Sequence, residues 1–224
     1  MSRRNPLALA VLSCLIERPM HPYEISTTLR SRGKELSIKL NYGSLYAVVE
    51  SLRKRGLVSA LESSREGRRP ERTVYEITDA GRIEHEDWLG QLLSTPEREF
   101  TSLEAGLSLM PGLPPDEVAR LLSERAERLQ MELRSLDSMM SVAAESGVPD
   151  LFLVEGRYRQ VLLTAERDFV TELAQGLTNS AFPGVKVWAR MHELLAEGMS
   201  FEDVMADPVR HLGEEGRLLL SPSG

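Results

Sequence analysis

Tyr42, Ser44 and Tyr46 stand at the start of the segment LNYGSLYAVVESLRKRG (40–56), and Arg53, Lys54 and Arg55 stand at its end. Hydroxyls at a helix N-terminus donate to phosphate oxygens or base edges, and the unpaired N–H groups there favour an anion. Lys39 and Asn41, just upstream, can reach backbone or base, and an Asn side chain can read adenine through two hydrogen bonds. Leu45, Val48, Val49 and Leu52 recur at helical spacing, so the segment reads as a helix with one face in a core and one in solvent. A second basic set, Arg65, Arg68, Arg69 and Arg72, lies in the polar stretch SSREGRRPER. Those arginines would neutralise phosphates or probe a narrow minor groove. The competing reading packs Tyr46 into the core and leaves the loop merely solvated.

The elements around these residues follow from local pattern. Asn5 is a suitable N-cap and Pro6 a suitable first residue for a helix from Pro6 to Glu17, with Leu7, Ala8, Val11, Leu12, Leu15 and Ile16 on its apolar face. A second helix runs from about Pro22 to Arg32, with Tyr23, Ile25 and Leu29 read as its inward stripe and Gly33 as its stop. The third is the quoted segment, capped by Asn41 and ended by Gly56. LVSALE (57–62) and TVYEI (73–77) are short and β-prone, and the basic stretch lies between them as a hairpin tip. A fourth helix starts at the cap Thr78 and runs to about Leu93. Helix, helix, helix, strand, basic loop, strand, helix is the order of a winged helix-turn-helix, whose third helix enters the major groove.

A hinge at STPERE separates this part from the rest. Beyond a short helix and the break PGLPP, Leu122, Ala126, Leu129, Leu133, Leu136 and Met140 repeat at alternating spacings of four and three. That is the seam of a coiled coil or long helical hairpin, and it pairs either within the chain or with a second copy. Dimerisation through this half is the favoured reading, because a two-fold DNA reader needs a partner. Residues 150–177 form another helix, with Leu151, Val154, Tyr158, Val161, Ala165, Phe169 and Leu173 on one side. The expected division is a DNA-binding domain over 1–95, a helical dimerisation and effector domain over 96–200, and a partly disordered tail over 201–224. The fold class is mainly α: an N-terminal winged helix-turn-helix and a C-terminal long-helix domain.

Charge supports the division. The 224-residue chain carries a formal charge of −7, yet residues 1–95 hold 15 Lys/Arg against 12 Asp/Glu, and residues 96–224 hold 12 against 22. Such asymmetry fits a polyanion-binding part joined to an acidic part with another task. No apolar run approaches the ~18 residues of a membrane span, and Glu17 and Arg18 end the first apolar stretch too early for a signal peptide. A cytoplasmic protein is expected. The single cysteine, Cys14, excludes an internal disulfide and reads as a buried thiol. The four histidines lack metal-ligand spacing, MPGLPPDE lacks the glycines of a phosphate loop, and no nucleophile–base set is present. Neither an enzyme activity nor a cofactor is expected. Trp88, Phe100 and Tyr158, with Met110, Phe169 and Trp188, are candidates for an effector pocket; the plainer reading makes them core.

HPYEI (21–25), YGSLYAVVESLRKRGLV (42–58) and RTVYEITDAGR (72–82), in that order, resemble the PadR family of transcriptional regulators. EREFTSLEAGLSLMPGLPPDE (97–117), followed by two long helices, is similar to the longer members with a virulence-activator-like helical domain. The resemblance implies a homodimeric repressor on a pseudo-palindromic operator of double-stranded DNA, released by a small-molecule inducer. It assigns DNA contact to Tyr42, Ser44, Tyr46 and the loop arginines. Two positions depart from the family pattern: Pro22 stands where Gly is usual, and Ala47 where Pro is usual. The reading from another class is a protein-interaction module, in which the acidic half docks a partner and DNA contact is secondary.

Overall fold

Asn5 opens the first helix by accepting the Leu7 N–H at 3.0 Å, and α1 (Pro6–Glu17) follows. The structure is a computed structural model, and it describes residues 5–39, 41–61 and 73–219. Two units divide the chain, Met1–Glu99 and Phe100–Gly224. In the first, α1 packs against α2 (Pro22–Ser31), α3 (Tyr42–Lys54), α4 (Asp79–Ser94) and a strand, β2 (Val74–Ile77). Val11, Leu12, Ile25, Leu45, Val49, Leu52 and Trp88 close the core. Cys14 is part of it, and burial pushes its thiol up to about 11, so it stays protonated and inert near neutral pH. Tyr23 departs from the expected inward stripe: it is 53% exposed, while Pro22, Ile25, Ser26 and Leu29 face the core. A stripe through positions 22, 25, 26 and 29 follows the helical period better than one that includes 23.

β1 (Val58–Leu61) pairs antiparallel with β2, Val58 opposite Ile77 and Leu61 opposite Val74. Met20 adds a bridge on the other side of β2, exchanging both backbone hydrogen bonds with Tyr75 at 3.0 Å. Thr78 fastens α4 to the root of this hairpin. Its hydroxyl accepts the Gly81 N–H at 3.1 Å and donates to the Gly56 carbonyl at 2.8 Å. Gly81 is required there, since a Cβ would stand 2.1 Å from the Leu57 carbonyl oxygen. The tip, residues 62–72, carries Arg65, Arg68, Arg69 and Arg72 and lies outside the described residues.

In the second unit, α5 (Ser102–Leu109) precedes α6 (Pro115–Glu145) and α7 (Val154–Thr178), which form an antiparallel hairpin. Leu122, Leu129, Leu133 and Leu136 of the α6 seam are buried, and Ala126 is half-buried. Val170, Ala174 and Leu177 of α7 are buried as well, and Met140 lies against Gly156. The seam therefore closes on α7 of its own chain. Arg125 donates to Glu166 at 2.7 Å, Gln160 to Asp137 at 2.7 Å and Arg167 to Gln130 at 2.9 Å, tying the two helices along the seam.

The stripe read on one side of residues 150–177 faces solvent over most of its length, with Leu173 packed against the core. Leu151 is 76% exposed, Val154 59%, Tyr158 67%, Val161 64% and Phe169 51%. The inward row instead runs through Gly156, Gln160, Leu163, Arg167, Val170, Ala174 and Leu177, at alternating spacings of four and three. Two of its members are polar and bonded across to α6, so hydrophobicity alone selects the outer row.

The segment expected as a tail is also helical. Beyond α8 (Val185–Ala196), Ser200 accepts the Asp203 N–H to start α9 (Phe201–Ala206), and Asp207 accepts the Arg210 N–H to start α10 (Pro208–Leu212). Val204 and Leu212 join Val187, Met191 and Leu194 in a small core, which orders residues that are individually weak helix formers. Trp188 and His192 of α8 donate their ring N–H groups to the carbonyls of Leu113 and Pro111, at 2.8 and 2.9 Å, and latch the MPGLP turn. Among the described residues no helix is long and apolar enough to cross a membrane.

Candidate nucleic-acid interface

The candidate interface is built on α3. Asn41 stands in extended backbone, and its side-chain oxygen accepts the Gly43 N–H at 2.9 Å. The same side chain also carries an amide NH2, a donor of two hydrogens. Ser44 donates to the Asn41 carbonyl at 2.8 Å, which fixes its hydroxyl beside the first turn. Leu45, Val49 and Leu52 anchor the inner face, and Val48 is half-buried. That leaves Gly43, Tyr46, Ala47, Ser51 and Lys54 exposed along one arc of α3. Tyr46 is 47% exposed, and its ring meets His21 edge-on, with centroids 6.3 Å apart and planes at 72°. Tyr42 begins the helix. Lys39 is exposed just ahead of it.

The cations at the end of α3 differ in availability. Arg53 binds Glu50 through two hydrogen bonds of 2.8 Å, which hold the Glu50 carboxyl below its usual range. Arg55 reaches Glu84 on α4 at 2.8 Å. Each of these arginines already has a carboxylate partner within its own unit. A phosphate approaching them competes with that partner, an exchange of one exposed ion pair for another.

His21 is a neighbour of this arc that the sequence pattern does not mark. The His21 ring Nδ1 accepts the Tyr23 N–H at 3.1 Å, and the Glu24 carboxylate accepts the His21 N–H at 2.9 Å. This reciprocal cap starts α2. The Glu24 carboxyl is held low, chiefly by that backbone N–H and then by the charge of Arg18. A polar residue before Pro22, three positions ahead of Glu24, was the available signal. It reads weakly because His is a rare cap beside Ser, Thr, Asp and Asn.

The effector candidates fall in different settings. Trp88 is 2% exposed and belongs to the core of the first unit. Phe100 and Tyr158 are exposed on the second, and Met110 and Trp188 pack against its core. Among the described residues no group of three or more His, Cys, Asp and Glu could hold a metal ion.

Comparison with known proteins gives the interface a context. Residues 11–87 match the model of the Transcriptional regulator PadR-like family. Among solved structures, Bacillus subtilis PadR in complex with operator DNA is similar at a TM-score of 0.58 and 18% identity, over 77% of this chain and 99% of that one. The Vibrio cholerae virulence activator AphA is similar at 0.57 and 19%, over 78% and 99%. Bacillus subtilis PadR in complex with p-coumaric acid is similar at 0.52 and 16%, over 73% and 98%. Among curated proteins none matches. The order and pairing of α1–α4 and the hairpin agree with the match, which gives this chain a PadR-like transcriptional-regulator domain over residues 11–87.

Proposed function

We propose that this regulator is a cytoplasmic homodimeric repressor that reads a pseudo-palindromic operator with two copies of α3. The observation that carries the reading is the exposed arc of α3, which runs from Tyr46, near the start capped by Asn41, to Lys54 at the helix end. In a dimer, two such helices enter successive major grooves about 34 Å apart. Tyr42, Ser44 and Tyr46 meet base edges or phosphates, Lys39 and Asn41 the flanking backbone, and Arg65, Arg68, Arg69 and Arg72 the outer phosphates. An effector of the small aromatic acid kind, as in the relative solved with p-coumaric acid, releases the operator by binding the DNA-incompetent state better.

The dimer forms through α7. Val154, Tyr158, Val161, Leu162 and Phe169 are all at least half exposed on one 25-residue helix whose other face is already packed. A contiguous apolar stripe of this kind marks a protein–protein contact. The α6 seam then stabilises each chain from inside rather than joining two chains.

Binding-site selection from random duplexes, at two salt concentrations, tests the function. The expected result is a pseudo-palindrome with half-sites about one helical turn apart, whose affinity falls steeply with salt. No enriched duplex, with retained binding of a protein partner by the acidic half, would instead support an interaction module.

A further inference from the structure

His21 touches three elements of the DNA-binding unit at once. Through Met20, its chain neighbour, it is tied to β2 by the paired 3.0 Å bonds to Tyr75. Its ring Nδ1 and backbone N–H form the reciprocal cap of α2 with Tyr23 and Glu24. The same ring lies edge-on to Tyr46, an exposed aromatic of α3. A cap alone would be met by Asn or Ser, and neither would carry a ring to Tyr46. Tyr46 is close to half exposed, so the core constrains only part of its side chain. The His21 ring, whose own orientation is fixed by the Nδ1 hydrogen bond, adds an edge-on contact to it.

We infer that His21 is a positioning residue for DNA reading: it holds Tyr46 in the orientation that meets the operator and couples that orientation to the strand bearing the wing. The inference rests on the proposed role of α3. His21 need not touch DNA for this. Its effect falls on discrimination between sequences, because a mobile Tyr46 still leaves the phosphate contacts in place.

The test uses the full chain, the duplex enriched by selection and a random-sequence duplex of equal length. His21→Asn keeps a capping side chain and removes the ring; His21→Phe keeps a ring and removes the cap. His21→Asn should melt like the parent, bind the enriched duplex about fivefold to tenfold more weakly, and bind the random duplex equally well. In a Tyr46→Leu background it should add no further loss. His21→Phe should melt lower yet keep most of the discrimination, which preserves the test if His21→Asn folds poorly. Full affinity of His21→Asn for the enriched duplex, equal loss on both duplexes, or losses that multiply with Tyr46→Leu would overturn the inference. A parent protein that enriches no duplex, or a Tyr46→Leu variant with full affinity, would remove the reading of α3 and this inference with it. Those two failures are seen without any His21 variant.

Discussion

Helices α3 and α7 are both amphipathic, and they use the property in opposite ways. In α3 the apolar row faces the core and the exposed arc is polar and aromatic. In α7 the row that faces the core includes Gln160 and Arg167, bonded to Asp137 and Gln130, and the more apolar row faces solvent. A helix that hides its apolar face and shows hydroxyls and cations suits a polar, charged ligand. A helix that pairs internally through hydrogen bonds and shows Val, Leu, Tyr and Phe suits a second apolar surface. The difference fits the proposed division, with reading in one unit and association in the other.

The sharpest way to break this contrast is to attack the internal seam. Leu133 is 3% exposed between α6 and α7. Leu133→Ala should destabilise the second unit by about 2–5 kcal/mol, measured by thermal or denaturant unfolding. A variant that melts unchanged but loses self-association would place the seam between chains rather than within one. Next in size is Gly81→Ala, which forces α4 away from the Leu57 carbonyl. It should cost about 1–3 kcal/mol in the first unit and leave the association of the second untouched.

Tyr46→Phe sharpens the contrast at the reading helix. Loss of one hydroxyl contact should weaken binding to the selected duplex by about fivefold, on the order of 1 kcal/mol, with unchanged melting. Unchanged affinity would assign Tyr46 to packing alone. The smallest expected effect is a pH dependence confined to the first unit. His85 donates to the Ser13 hydroxyl at 2.8 Å, because the Ser13 proton is engaged by the Leu9 carbonyl. Desolvation lowers the His85 pKa from its ordinary 6.5, against the charge of Glu86. The unfolded chain then binds more protons just below pH 6.5, so stability should fall as pH drops through that window. His85→Gln should flatten the slope there, read as melting temperature against pH.

Much of the reading unit was legible in the sequence. Asn41, the inward row Leu45, Val49 and Leu52, and the cap Thr78 each combine a local signal with a burial pattern that agree. Tyr23 was misplaced because an aromatic residue reads as core when its helical phase puts it in solvent. The cap role of His21 was missed because His is a rare cap, and its contact with Tyr46 because that is visible only once α2 and α3 are adjacent. In the second unit the α6 repeat was legible as a seam, but a periodic apolar row does not name its partner. The α7 row was legible as one side of a helix, but not as its outer side, because the polar Gln160 and Arg167 conceal the inner face. Helices α9 and α10 were missed because their order comes from Val204 and Leu212 packing on α8, not from their own propensity.

The most direct test of the central claim is the Tyr158→Glu, Val161→Glu double variant, followed by sedimentation equilibrium and by binding to the selected duplex. The parent should have the mass of two chains. The variant should have the mass of one, keep the helical far-UV spectrum of the parent because both positions are exposed within the chain, and bind the palindromic duplex at least about a hundredfold more weakly through lost bivalency. A variant that remains a dimer with full affinity would contradict the assignment of association to the outer face of α7.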